Sequence, residues 1–159
     1  MKYLLLSNLI AAILLAGHAH AGDAPNIGLG TDQAIAAMKK RAAELGIQGV
    51  AVIAFSPGES MESWTSKMAV VGRLKKDPAG DYKGDNFLAC AYAKASEMAA
   101  TLRDSGEAGR LPMAGELGWH GGKIMKVKSG LLIAAFSGGK SEDDVKVSEA
   151  GLAALAAAL

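Results

Sequence analysis

Few residues of this chain combine a reactive side chain with a setting that frees it. The segment Gly115-Glu116-Leu117-Gly118-Trp119-His120-Gly121-Gly122 places one imidazole among residues of little bulk. A neutral ring nitrogen there can coordinate iron, as an axial ligand of haem does, and methionine and tyrosine are other donors for such a centre. The competing reading is a surface histidine in a loop. Trp119 beside it either covers a flat ligand or covers the sheet edge. Cys90, Met38, Met98 and Met125 read as core filling rather than ligands.

Other constellations fail on context. Ser137-Gly138-Gly139-Lys140-Ser141 has the glycine, lysine and serine that end a phosphate-binding loop, but position 134 is alanine where the first glycine is required. Three acids also crowd the helix start that follows, so the segment reads as a turn and helix cap. No Gly-x-Ser-x-Gly elbow accompanies His120, which leaves a serine hydrolase without support. Gly28-Leu29-Gly30 follows a leader, not a strand, and is no dinucleotide fingerprint.

The whole chain sets limits on what these residues serve. It has 159 residues, half of them hydrophobic and 20 of them glycine, the profile of one folded domain. Lysine and arginine total 17 against 16 acids, so the cation surplus that holds a nucleic acid is missing and none is expected as a partner. A single cysteine excludes an internal disulfide and any zinc site of several thiolates. Met1-Lys2, the apolar run Leu4 to Ala16 and Ala19-His20-Ala21 read as a signal peptide cut after Ala21, giving a periplasmic or secreted protein. That run is too short for a membrane span, which takes about 20 apolar residues, and no later run approaches one. Cleavage removes His18 and His20 and leaves His120 as the one imidazole.

Elements must then position these groups. Residues 22–30 read as a loose leader, and Thr31 caps a helix whose Ile35, Met38, Ala42 and Leu45 share a face until Gly46 ends it. Ile47 to Phe55 is a strand covered on both sides, Ser56-Pro57-Gly58 turns the chain, and Ala69-Val70-Val71 belongs to a second strand antiparallel to the first. A polar loop, Lys75 to Asp85, precedes a helix from Asn86 to Arg103 with Phe87, Cys90, Ala91, Lys94, Met98 and Leu102 in helical register. Asp104 to Gly122 is loop and holds six glycines. Lys123 to Lys128 and Leu131 to Phe136 form a hairpin about Ser129-Gly130, and Ser141 caps a last helix with Val145, Leu152 and Leu155 inward. This order of elements predicts an α+β domain with an antiparallel sheet.

With these elements placed, the chain resembles the GlcG/HbpS-like family of haem-binding or haem-degrading domains, related to the C-terminal domain of PduO corrinoid adenosyltransferases. The resemblance runs from Thr31 to Leu159. It is carried by Ala43-Glu44-Leu45-Gly46-Ile47 and by Ala91-Tyr92-Ala93-Lys94-Ala95. It continues through Gly121-Gly122-Lys123-Ile124, Ser129-Gly130, Ile133-Ala134-Ala135-Phe136-Ser137-Gly138-Gly139, Asp143-Asp144 and Ala150-Gly151-Leu152. Three departures stand out. Ala54-Phe55-Ser56 replaces an aspartate, Glu97 stands where a threonine follows the Lys-Ala pair, and Ile124 replaces a proline.

The resemblance implies a profilin-like three-layer α/β/α domain over residues 31–159, homo-oligomers, and haem or a related tetrapyrrole held against the second helix and the glycine-rich loop. It would make His120 the axial ligand, with Met113 or Tyr92 as second choices, Lys94 a cation for a propionate, and Glu97 and Trp119 in the same ligand-contacting region. The expected function is exported haem binding in haem or iron handling or sensing. The alternatives are an oligomeric interaction protein with an empty pocket, and a haem-degrading enzyme, for which no acid, base and nucleophile set is visible.

Overall fold

The computed structural model describes residues 27–72 and 84–159. The expected signal peptide and most of the expected loop Lys75 to Asp85 lie outside these described residues. The elements follow in the expected order: α1 (Ile27–Glu44), β1 (Gly49–Pro57), β2 (Thr65–Val71), α2 (Phe87–Thr101), β3 (Gly122–Val127), β4 (Gly130–Ser137) and α3 (Ser141–Ala157). The four strands make one antiparallel sheet in the order β2-β1-β4-β3.

Helix α1 starts earlier than the expected Thr31 cap. Thr31 lies inside the helix, and its hydroxyl donates to the Gly28 carbonyl one turn back. A threonine side chain competes for backbone groups in either place, so its type alone does not fix the first turn. The C-terminal end follows expectation, with Gly46 in the left-handed conformation (φ +67°).

The sheet separates two cores because successive side chains of a strand point to opposite faces. Ala51, Ile53, Phe55, Leu132, Ala134 and Phe136 pack under α1 and α3, whereas Val50, Val52, Ala54, Ile133 and Ala135 pack under α2. The uninterrupted apolar run of β1 is therefore explained by helices on both faces, as expected. The result is an α+β domain of three layers.

Three packing details differ from the sequence reading. Leu102 does not continue the inward face of α2; it is the left-handed C-cap residue (φ 54°), half-exposed, with its N–H donating to the Met98 carbonyl. The inward row of α3 is Asp144, Val147, Ser148, Gly151, Leu152 and Leu155, with Val145 only half-buried. The β3–β4 turn is Lys128-Ser129, and Gly130 already pairs with Val127.

Candidate functional site

Helix α2 begins at Asn86, whose side chain accepts from the Ala89 N–H, and its C-terminal end feeds the glycine-rich loop. Helical spacing puts Lys94 and Glu97 on the buried side with Ala91, Ala95 and Met98. A buried charge needs a partner, and the two find different ones.

Lys94, 2% exposed, donates from Nζ to the Phe136 carbonyl at 2.8 Å and to Asp144 Oδ2 at 2.9 Å. Asp144 Oδ1 meanwhile accepts from the Gly139 N–H at 2.8 Å, so the carboxylate also closes the first turn of α3. Burial pushes the Asp144 carboxyl up, against the opposing pull of the Lys94 ammonium and the Gly139 N–H. Lys94, expected as a propionate partner, has its charge matched inside the fold. The same geometry explains Ser137 to Ser141: the N-terminal end of α3 is filled by the protein's own carboxylate, and the segment is a cap, although Lys140 rather than Ser141 is the N-cap residue.

Glu97 is 1% exposed. Its Oε1 accepts from the Gly106 N–H at 2.8 Å, tying α2 to the loop, while Oε2 has no hydrogen-bond partner among the described residues. A cavity of about 510 Å³ opens here, lined by Glu97, Gly106, Gly109, Arg110, Leu111, Pro112 and neighbouring small residues of the loop.

The loop is ordered by its own polar bonds. Arg110 grips Glu116 through two hydrogen bonds, at 2.6 and 2.7 Å, and Glu116 also accepts from the Met113 N–H at 2.8 Å. The guanidinium fork and then the Met113 N–H pull the Glu116 carboxyl down to about 2. Ser105 clamps the loop to β3, since its hydroxyl accepts from the Gly122 N–H and its own N–H donates to the Gly122 carbonyl.

His120 follows at the end of the loop and is exposed. A Cβ on Gly106 would lie 2.9 Å from its Nδ1, so the ring sits against a position where only glycine leaves room. Its imidazole forms no hydrogen bond or ion pair among the described residues. Around it in the chain, Leu102, Leu111 (87% exposed), Met113 (54%), Leu117 and Trp119 (43%) turn apolar side chains to solvent.

The expected site residues therefore separate. Glu97 lines the cavity; His120, Trp119 and Met113 belong to the same loop but are not among its lining; Tyr92 is half-buried against the α2-side core; Lys94 is internal. Cys90 is buried, and that burial pushes its thiol up, as befits core filling. Sequence reasoning missed Arg110 and Glu116, although a cation and an acid flanking Pro112 in a polar loop hint at such a fork. It also missed Arg103, whose guanidinium is exposed near Gly109 and has no ion-pair partner among the described residues.

No family model and no curated protein matches the sequence. Solved structures do match. The PduOC:heme complex is 18% identical with a TM-score of 0.57, covering 79% of this chain and 91% of its own. Klebsiella pneumoniae protein ORFY is 15% identical with a TM-score of 0.53, covering 81% and 89%. At these identities the likeness is one of architecture, and at that level it agrees with the GlcG/HbpS-like resemblance of the sequence. The chain has the three-layer α+β fold, profilin-like in its layering, that the PduOC and ORFY structures share.

Proposed function

We propose that this protein binds haem or a related iron tetrapyrrole on the outer side of the glycine-rich loop, with His120 as the axial ligand. The observation that carries this reading is an imidazole with no hydrogen-bond or ion-pair partner among the described residues, set in a loop that turns Leu111, Met113, Leu117 and Trp119 to solvent. Exposed apolar groups gathered in one segment mark binding surfaces. Trp119 supplies a flat apolar face, and Met113 a soft sulfur as second donor.

When bound, the iron supplies a Lewis-acidic centre for the imidazole nitrogen. The chain's own contribution is to hold the ring: Gly106 leaves space for it, and the Glu97 bond to the Gly106 N–H fixes that glycine on α2. Arg103 replaces Lys94 as the cation for a propionate, being exposed and without an ion-pair partner among the described residues. The fold shared with the PduOC:heme complex supports the reading. The leader sequence supports an exported protein acting in haem or iron handling, and the small residues on α2 support self-association.

Haemin titrated into the protein should give a shifted Soret band that His120→Ala abolishes or moves. An unchanged spectrum in that variant removes His120 from the proposal, and absence of any saturable band removes haem.

A further inference from the structure

The cavity beside α2 points to a second ligand in a place distinct from the proposed tetrapyrrole surface, since none of His120, Met113 and Trp119 is among its lining residues. Glu97 is the buried acid of that wall. Its Oε1 is fixed by the Gly106 N–H, which orients the carboxylate, and its Oε2 is left without a donor among the described residues. Buried polar atoms are nearly always hydrogen-bonded, and an orphaned charged acceptor bears the full cost of its lost water. A donor beyond the described residues is therefore expected to complete it.

The surrounding charges say what kind. Arg110 shares the wall, but its guanidinium is held by Glu116 and by the Leu111 carbonyl, so its charge is already matched. Arg103 reaches only the rim, near Gly109. The unmatched group of the wall itself is an acceptor. Oε2 has less than 1 Å² of exposed surface, so contact between a donor and this atom requires the loop side of the wall to move. The loop members there, Gly106, Ala108 and Gly109, carry nothing larger than a methyl group. The volume of about 510 Å³ falls within the roughly 300 to 1,000 Å³ of small-molecule sites.

We propose that this cavity binds a small organic ligand that presents an N–H donor, an amidine or an amine, to Glu97 Oε2. Leu111 and Pro112 would cover the apolar part of such a ligand, and the Gly106 bond keeps the carboxylate in place before it arrives.

Benzamidine and benzoate, of similar shape and opposite charge, are suitable probes, followed through the backbone amide resonances of the labelled protein. Benzamidine should shift the Gly106, Gly109 and Gly118 amides and bind at least tenfold more tightly than benzoate, and Glu97→Gln should lose at least tenfold in benzamidine affinity. Benzoate is the sharpest competitor because Arg103 stands at the rim. Equal or tighter binding of benzoate overturns the proposal, as does a benzamidine titration that leaves those three amides unmoved. A Glu97→Gln protein that keeps its dispersed spectrum and its full benzamidine affinity overturns it equally. Should Glu97→Gln not fold, the comparison of the two probes on the unaltered protein still decides. Haemin absorbance of the unaltered protein and of His120→Ala reads the His120 proposal separately, since Glu97→Gln also loosens Gly106 beside that ring.

Discussion

Lys94 of α2 and Asp144 of α3 meet at 2.9 Å between Nζ and Oδ2, joining the two helical layers at the end of the sheet where β3 begins. Both are almost fully buried, and the ammonium takes the Phe136 carbonyl as its second acceptor. Removing one partner leaves a buried charge unmatched, which costs about 3 to 5 kcal/mol. Lys94→Met should therefore lower the unfolding free energy by about that much. Lys94→Met combined with Asp144→Leu should recover part of the loss, falling short by the cap that Asp144 gives the Gly139 N–H, as denaturant midpoints would show. Additive losses in the double variant would contradict a direct pairing.

Gly121 is the position that makes this pair possible. Its φ of +132° is one that side-chain-bearing residues rarely adopt, and a Cβ there would run into Lys94 Nζ and come within 2.8 Å of Asp144 Cβ. Gly121→Ala combines backbone strain with overpacking, each about 1 to 3 kcal/mol. Urea unfolding should show a loss of about 2 to 4 kcal/mol, where an ordinary surface Gly→Ala change would be close to neutral or stabilising.

Leu102 caps α2 in the left-handed conformation, which suits glycine or asparagine and strains leucine by about 1 to 2 kcal/mol. Its side chain is half-exposed, so little packing is lost on replacement. Leu102→Asn should raise stability by about 0.5 to 1 kcal/mol in thermal or urea unfolding. A loss of similar size would mean that the leucine packs more tightly than its exposure implies.

The Glu116 carboxyl is held at about 2, against the ordinary 4.5 of a free glutamate, by the Arg110 fork and the Met113 N–H. A folded-state value below the unfolded one means that the unfolded chain takes up more protons in this window, so the contribution is present above pH 4.5 and is lost as pH falls towards 2. The loop carrying His120 should loosen over that interval. Trp119 fluorescence in a Trp64→Phe background would follow it, and Glu116→Gln should weaken this dependence on acid.

Much of the architecture was legible because it rests on local rules. Period-two alternation and an unbroken apolar run identified β1 and its neighbours, 3.6-residue spacing identified α2, and Gly46 ended α1 as left-handed glycine does. Boundaries were less so: Thr31, Leu102 and Ser141 bear side chains compatible with two positions each, and only neighbouring packing chose between them.

Sequence by itself determined the α+β order, the single imidazole of residues 21–159 and the loop that carries it, since these depend on residue types and near neighbours. Tertiary structure decided what Lys94 and Glu97 do. They lie three residues apart on one helix, yet one meets Asp144, 50 positions further on, and the other meets Gly106 and a cavity. A charge's role follows from its partner and its access to water, and both are set by chain segments distant in sequence.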